Sequence, residues 1–310
     1  MCGRSHPGVN TRPGIIDTHA HVHVKAFDQD RDQVLERAFA AGLRTVIEVN
    51  IDAPGWPRVR ELARRDPRIF ATIGIHPHDT GAARSEDLTA LEGELADPQV
   101  CAIGETGLDY YRNYAPHEVQ RVFFTRHVAL AREAGLPLVV HARAASGDPS
   151  AHQDVLRILR QEGRGAVRGV LHCFSGDLET ARQAVEIGFL LGMGGAITYN
   201  PKRSGPLLAT VAQELGTSAF LLETDCPYLT PHPRRNDRNE PANIPAIARV
   251  LAGYLGLSLA EVERITDENA MRLFGLGPHA RSRGTGAREN PPGRQGDPAW
   301  RAEVNQPGQE

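Results

Sequence analysis

The sequence predicts an α/β protein in which eight parallel strands close into a barrel. Three observations carry this expectation. Short β-rich apolar runs alternate with helical stretches along most of the chain. The runs lack the polar alternation of a half-solvated sheet, as expected of strands buried on both faces. Residues of metal-binding type stand at the ends of several runs, where a closed parallel barrel gathers its side chains around one mouth. An open doubly wound sheet is the competing architecture, but no Gly-rich nucleotide loop follows the first run. The expected fold is therefore a TIM-like (β/α)8 barrel with right-handed crossovers.

Taken in order, residues 1–13 carry Gly, Pro, Ser, Asn and Arg without apolar period and read as a flexible leader. Strands are expected at Ile15–Thr18, Thr45–Val49, Ile69–Ile75 and Val100–Gly104. Four more follow at Leu138–Val140, Val167–Leu171, Phe189–Gly192 and Phe220–Leu222. Between the fourth and fifth, Val119, Val122, Phe123 and Leu130 keep one helical face after Pro116 at a first turn. Gly42 and Gly135 stand where helices should stop. Ser258-Leu259-Ala260-Glu261 has the spacing of a capping box before a last helix. Residues 277–310 contain no Leu, Ile or Phe and read as a disordered tail, which leaves one folded domain over residues 14–276.

With 310 residues and 40% hydrophobic content, the chain can bury a large core. A formal net charge of −3 argues against broad adhesion to nucleic acid or membrane and leaves room for a local basic patch. Cys2, Cys101, Cys173 and Cys226 have no C-x-x-C spacing, so reduced thiols in a reducing compartment are expected. No apolar run reaches membrane-spanning length and no signal segment opens the chain, so the expectation is a cytoplasmic protein without membrane contact. No obligate protein partner is evident.

The chemistry is concentrated at the run ends. His19 and His21 are two residues apart, so in an extended strand both imidazoles share a face and can grip one cation. With 13 histidines in the chain, a single one means little. Glu105, His141, His172 and Asp225 follow four further apolar runs, and a carboxylate such as Glu105 is costly to bury unless paired or metal-bound. In a closed barrel His19, His21 and Asp225 come from neighbouring first and last strands and can hold one ion. His141 and His172 can hold a second, with Glu105 between. Two ions roughly 3.5–4 Å apart would activate water and stabilise attacking and leaving oxygens. The donor set suits Zn²⁺, Mn²⁺ or Co²⁺, with Mg²⁺ possible on the carboxylate side. His76 and Arg143 are candidate phosphate contacts. Tyr110, Tyr111 and Tyr199 are candidates for stacking on bases. Lys202, Arg203, Arg234, Arg235 and Arg238 fall on loops expected at the same mouth.

Several segments then resemble the TatD family of metal-dependent deoxyribonucleases. They are Asp17-Thr18-His19-Ala20-His21, Gly74-Ile75-His76-Pro77-His78, and Ile103-Gly104-Glu105-Thr106-Gly107-Leu108-Asp109-Tyr110-Tyr111. Further on come His141-Ala142-Arg143, His172-Cys173-Phe174-Ser175-Gly176, and Glu223-Thr224-Asp225-Cys226-Pro227-Tyr228-Leu229. Arg238-Asn239-Glu240-Pro241 and the stretch Asn269 to Phe274 fit as well, so the resemblance covers about residues 15–275. It implies a barrel of the metal-dependent hydrolase superfamily, a two-metal site and phosphodiester hydrolysis in DNA, often 3′→5′ exonuclease action on single strands. It implies metal-ligand roles for His19, His21, Glu105, His141, His172 and Asp225 and a phosphate role for His76. Asp225 and Glu105 would take part in catalysis, and Glu223 in an additional ion. One departure is that Arg143 is followed by Ala144, Ala145, Ser146 and Gly147 where the family often has an acidic residue.

Two other functions compete. The same two-metal site could hydrolyse an ester, such as that of a D-aminoacyl-tRNA; some members of the family have been linked to that deacylation. The carboxylate Glu105, at a position where superfamily amidases often carry a carboxylated Lys, favours the nuclease. A non-catalytic binding scaffold predicts missing ligands, and none is missing.

Overall fold

The computed structural model describes residues 14–145 and 147–276; the expected leader and tail lie outside them. Strands and helices alternate from β1 (Ile15–Ala20) through α1 (Arg31–Ala40), β2 (Leu43–Val49), α2 (Trp56–Arg65) and β3 (Ile69–Ile73). The series continues with α3 (Ser85–Glu94), β4 (Val100–Asp109), α4 (His117–Ala134), β5 (Leu138–Arg143), α5 (Ser150–Gly163) and β6 (Gly169–Leu171). It ends with α6 (Leu178–Glu186), β7 (Phe189–Met193), α7 (Pro201–Leu215), β8 (Phe220–Leu222), α8 (Ile244–Leu255) and α9 (Leu259–Phe274). The eight strands form one sheet in sequence order, every ladder parallel.

Strand alternation sorts the core into two layers. Ile15, Val46, Ala71, Ile103, Leu138 and Leu191 point outward and pack with the helices. Ile16, Ile47, Phe70, Cys101, Val139 and Val170 fill the barrel interior, where Ala270 and Phe274 of α9 join them. Because these inner residues lie low on their strands, α9 plugs the end of the barrel opposite to the run ends. It is tied there by Asn269, whose Nδ2 donates to the Phe220 carbonyl at 2.9 Å. The Ser258–Glu261 capping box starts α9, and Gly135 at φ 65° ends α4 as expected.

Barrel closure between β1 and β8 does not use a full ladder. A single parallel bridge, Ala20 to Cys226, joins them. The Asp225 backbone N–H also donates to the His19 carbonyl at 2.8 Å, and side chains add to this. Buried Asp17 accepts from the Thr224 backbone N–H at 2.9 Å and from the Thr224 hydroxyl at 2.5 Å. Thr18 Oγ1 donates to the Leu222 carbonyl at 2.9 Å. Burial pushes the Asp17 carboxyl up to about 8, so the seam retains its proton at neutral pH.

The main difference from the expected elements lies in β4, which continues through Glu105 to Asp109 instead of stopping at Gly104. Register against β5 shifts between Ile103 and Thr106. Gly104 and Gly107 make this possible, with φ of +150° and +139°. A Cβ on Gly107 would meet the His141 carbonyl oxygen at 2.0 Å. A glycine that looks like the end of a run is thus a bulge inside one. No single helix among the described residues is long and apolar enough to cross a membrane.

Candidate metal centre

The six run-end residues predicted to face one mouth do converge, and Glu105 is their hub. Its two carboxylate oxygens face different sets of atoms. Oε2 lies 3.3 Å from His19 Nε2 and 3.8 Å from His21 Nε2. Asp225 Oδ1 completes this set, at 3.8 Å from His19 Nε2 and 3.3 Å from His21 Nε2. Oε1 lies 3.0 Å from His141 Nδ1, 3.3 Å from His172 Nε2 and 3.4 Å from His76 Nε2. Residues from β1, β4, β5 and the loops after β3, β6 and β8 meet here, the convergence that a closed parallel barrel provides at the C-terminal ends of its strands.

Hydrogen bonds on the far nitrogens orient two of the rings, those of His21 and His141. His21 Nδ1 donates to the Val49 carbonyl at 2.7 Å, so its Nε2 offers a lone pair to the centre. His141 Nε2 lies 3.0 Å from Asp109 Oδ2, which leaves Nδ1 for the Glu105 side. His172 Nδ1 faces Glu223 Oε1 at 3.4 Å. A carbonyl or carboxylate behind His21, His141 and His172 is the support that metal-ligating histidines receive. His76 is arranged differently. Its Nδ1 accepts the His78 backbone N–H at 3.1 Å, so in the neutral ring the proton sits on Nε2, aimed inward as a donor.

The same atoms test whether cations fit. His19 Nε2 and His21 Nε2 stand 3.1 Å apart with two carboxylate oxygens beside them, and His19 Nδ1 is buried with no hydrogen-bond partner. Such packing of lone pairs and anionic oxygens in a dry site matches the ligand shell of divalent ions with N/O preference. Three-residue groups able to hold an ion include His19, His21 and Glu105; His76, Glu105 and His141; and His19, His172 and Asp225.

Charge balance follows from burial and neighbours. Burial alone would raise the Glu105 carboxyl, but His172, His76, His19 and the His141 hydrogen bond together hold it well below the usual range. Burial pushes His76 down to about 4, partly opposed by Glu105, so it is a neutral donor at pH 7. Asp225 is buried as well, yet the His21 hydrogen bond and the flanking imidazoles lower it.

Other expectations fare unevenly. Tyr110 is only 8% exposed; its hydroxyl donates to Asp154 at 2.8 Å and its ring stacks on His117 at 3.8 Å. Its ring is thus packed within the fold, whereas Tyr111, 48% exposed, presents its ring to solvent. Arg143 is exposed at the end of β5 with its guanidinium 4.5 Å from the Tyr111 ring. Arg234 and Arg238 are taken up by ion pairs with Asp237 and Asp30, while Arg235 lies over Tyr199 at 4.1 Å. Lys202 and Arg203 are exposed in the first turn of α7.

Asp109 is the residue that sequence reasoning missed. Oδ2 accepts from His141 and, at 2.8 Å, from His78 Nε2; Oδ1 accepts the backbone N–H groups of Tyr111 and Arg112 at 2.9 and 2.8 Å. The signal was its place four residues after Glu105, on the same face if the strand continues.

Comparison with known proteins agrees with this geometry. A family model described as TatD related DNase matches residues 16–275. The chain is 39% identical over 261 residues to a Bacillus subtilis protein named uncharacterized metal-dependent hydrolase YabD, an alignment covering 84% of this chain and 98% of the relative. It is 34% identical over 264 residues to the 3'-5' ssDNA/RNA exonuclease TatD of Cronobacter sakazakii, covering 84% and 97%. Among solved structures, YJJV, a TatD homolog from Escherichia coli, superposes with a TM-score of 0.76 at 28% identity, covering 84% of this chain and 98% of that one.

Proposed function

The chain belongs to the TatD-related DNase family of metal-dependent hydrolases, and from that premise we propose that it cleaves phosphodiester bonds of single-stranded DNA from the 3′ end. The observation that carries this reading is the split of Glu105, one oxygen facing His19, His21 and Asp225 and the other facing His141 and His172. Such a split supports a reading in which these residues would hold two divalent cations. A naming of the Cronobacter relative as an ssDNA/RNA exonuclease supports the substrate class.

In the proposed mechanism His19, His21, Asp225 and Glu105 would hold one ion, and Glu105, His141 and His172 would hold the other. When bound, such ions supply positive charge to phosphoryl oxygens and acidify water. His76 Nε2–H donates to a non-bridging phosphate oxygen, a role its neutral state and inward proton allow. Asp225 lies at the mouth and accepts the proton of the attacking water. Water adds to phosphorus, the P–O3′ bond breaks, and the departing oxygen takes up a proton. Arg143 steadies the chain of phosphates outside the centre.

The test is product mapping on end-labelled single-stranded DNA, with Zn²⁺, Mn²⁺, Co²⁺ and Mg²⁺ added one at a time. Mononucleotides shed from the 3′ end are expected, and none after chelation. Inert DNA alongside turnover of a D-aminoacyl-tRNA would replace this reading with ester hydrolysis. A protein that purifies without metal yet binds DNA tightly would replace it with a scaffold.

A further inference from the structure

Among the described residues, the large hydrophobic side chains left exposed are three tyrosines: Tyr111 at 48%, Tyr114 at 65% and Tyr228 at 55%. All three sit on loops leaving β4 and β8 at the mouth that holds the donor set. Tyr114 meets His78 edge-to-face with centroids 4.7 Å apart, and His78 is bonded to Asp109 behind His141. Tyr228 lies on the other half of the set, its ring 6.1 Å from that of His21. One exposed ring thus stands beside each side of the Glu105 hub. Elsewhere the described fold keeps its large apolar side chains out of water, so folding alone does not account for rings concentrated at this mouth.

The cations at this mouth lie against rings. Arg143 and Arg112 lie 4.5 and 5.4 Å from the Tyr111 ring, and Arg235 lies 4.1 Å from the Tyr199 ring. Many arginines on the barrel's flanks form ion pairs, whereas these three face aromatic rings. Flat π-faces flanked by guanidinium groups match a strand whose bases are unpaired and whose phosphates are spaced along it. A duplex hides its base faces, so it does not fit the same surface.

We infer that Tyr114 and Tyr228 are stacking platforms for the bases on either side of the scissile phosphate, with Arg112, Arg143 and Arg235 on the backbone. This deepens the proposed nuclease reading and rests on it. The strand would cross the mouth from one ring to the other, held by base faces irrespective of sequence.

Binding to the metal-loaded enzyme can be read by fluorescence anisotropy with a labelled, hydrolysis-resistant phosphorothioate oligonucleotide. A companion series lacks one base at each of the 3′-proximal positions in turn. Tyr228→Ala and Tyr114→Ala should each raise Kd about tenfold, and Tyr228→Trp should restore affinity. For each tyrosine, one abasic position should weaken the wild-type protein by a similar factor and the alanine variant no further. Unchanged Kd in both variants, or independent effects of tyrosine and base at every position, would overturn the inference, as would absence of binding by the wild type. Cleavage of the ordinary oligonucleotide, followed in parallel, reports separately on the nuclease reading: DNA hydrolysed without any loss in the alanine variants sinks the platforms alone.

Discussion

Glu105→Gln keeps the side chain's shape but turns one face of the hub from acceptor to donor, toward imidazoles that also need an acceptor. Bound metal should fall below that of the wild type and hydrolysis by more than about a hundredfold, measured by elemental analysis and turnover on the same preparation. Asp109→Asn is the more discriminating change, because it touches the centre only through His141 and His78. We expect metal affinity to drop about 10- to 100-fold in chelator competition, with the fold retained. The six run-end residues were readable from the sequence because each follows an apolar run and their types share one chemistry. Asp109 was not, because Gly104 and Gly107 look like the end of a strand when only residue type is visible. Tyr110 and Tyr111 are neighbours with the same side chain, and the bond to Asp154 that turns one inward comes from α5, far along the chain.

Elements were legible where periodicity was long. The eight strands fall near their expected positions, while β3 stops earlier and β1 and β5 run further, so His19 and His141 lie within strands. Between elements, the sequence was silent about α4's tie to the segment that presents His76. His127 on α4 donates from Nδ1 to the Phe123 carbonyl at 2.7 Å and accepts the Ile75 backbone N–H on Nε2 at 3.1 Å. Both ring nitrogens are satisfied only in the neutral form, and burial pushes the group down to about 4. Its folded value lies below the unfolded one, so its contribution is complete above about pH 6.5 and is lost as pH falls toward 4. The loss is about 3 kcal/mol. Urea unfolding at pH 7 and pH 5 should show this slope in the wild type and a flatter one in His127→Gln; equal slopes would remove His127 from the account.

For the whole molecule, the seam between β1 and β8 is the least redundant part of the barrel. One bridge, the backbone bond from Asp225 to the His19 carbonyl, and the Asp17–Thr224 and Thr18–Leu222 contacts hold it. Thr224→Val strips one partner from a buried carboxyl and should cost about 1–3 kcal/mol, seen as a lower denaturation midpoint. Added Zn²⁺ should raise the midpoint of both proteins by mass action, and raise it less in the variant where the broken seam weakens the donor set. This closure was only partly readable: adjacency of first and last strands follows from a closed barrel, but not that side chains replace a ladder. The seam has one more consequence. Polypeptides are synthesised from the amino end, so His19 and His21 leave the ribosome long before Thr224 and Asp225 exist to meet them. Any product released early would carry the imidazoles without their closing partners, so the full donor set forms only once synthesis has passed the last strand.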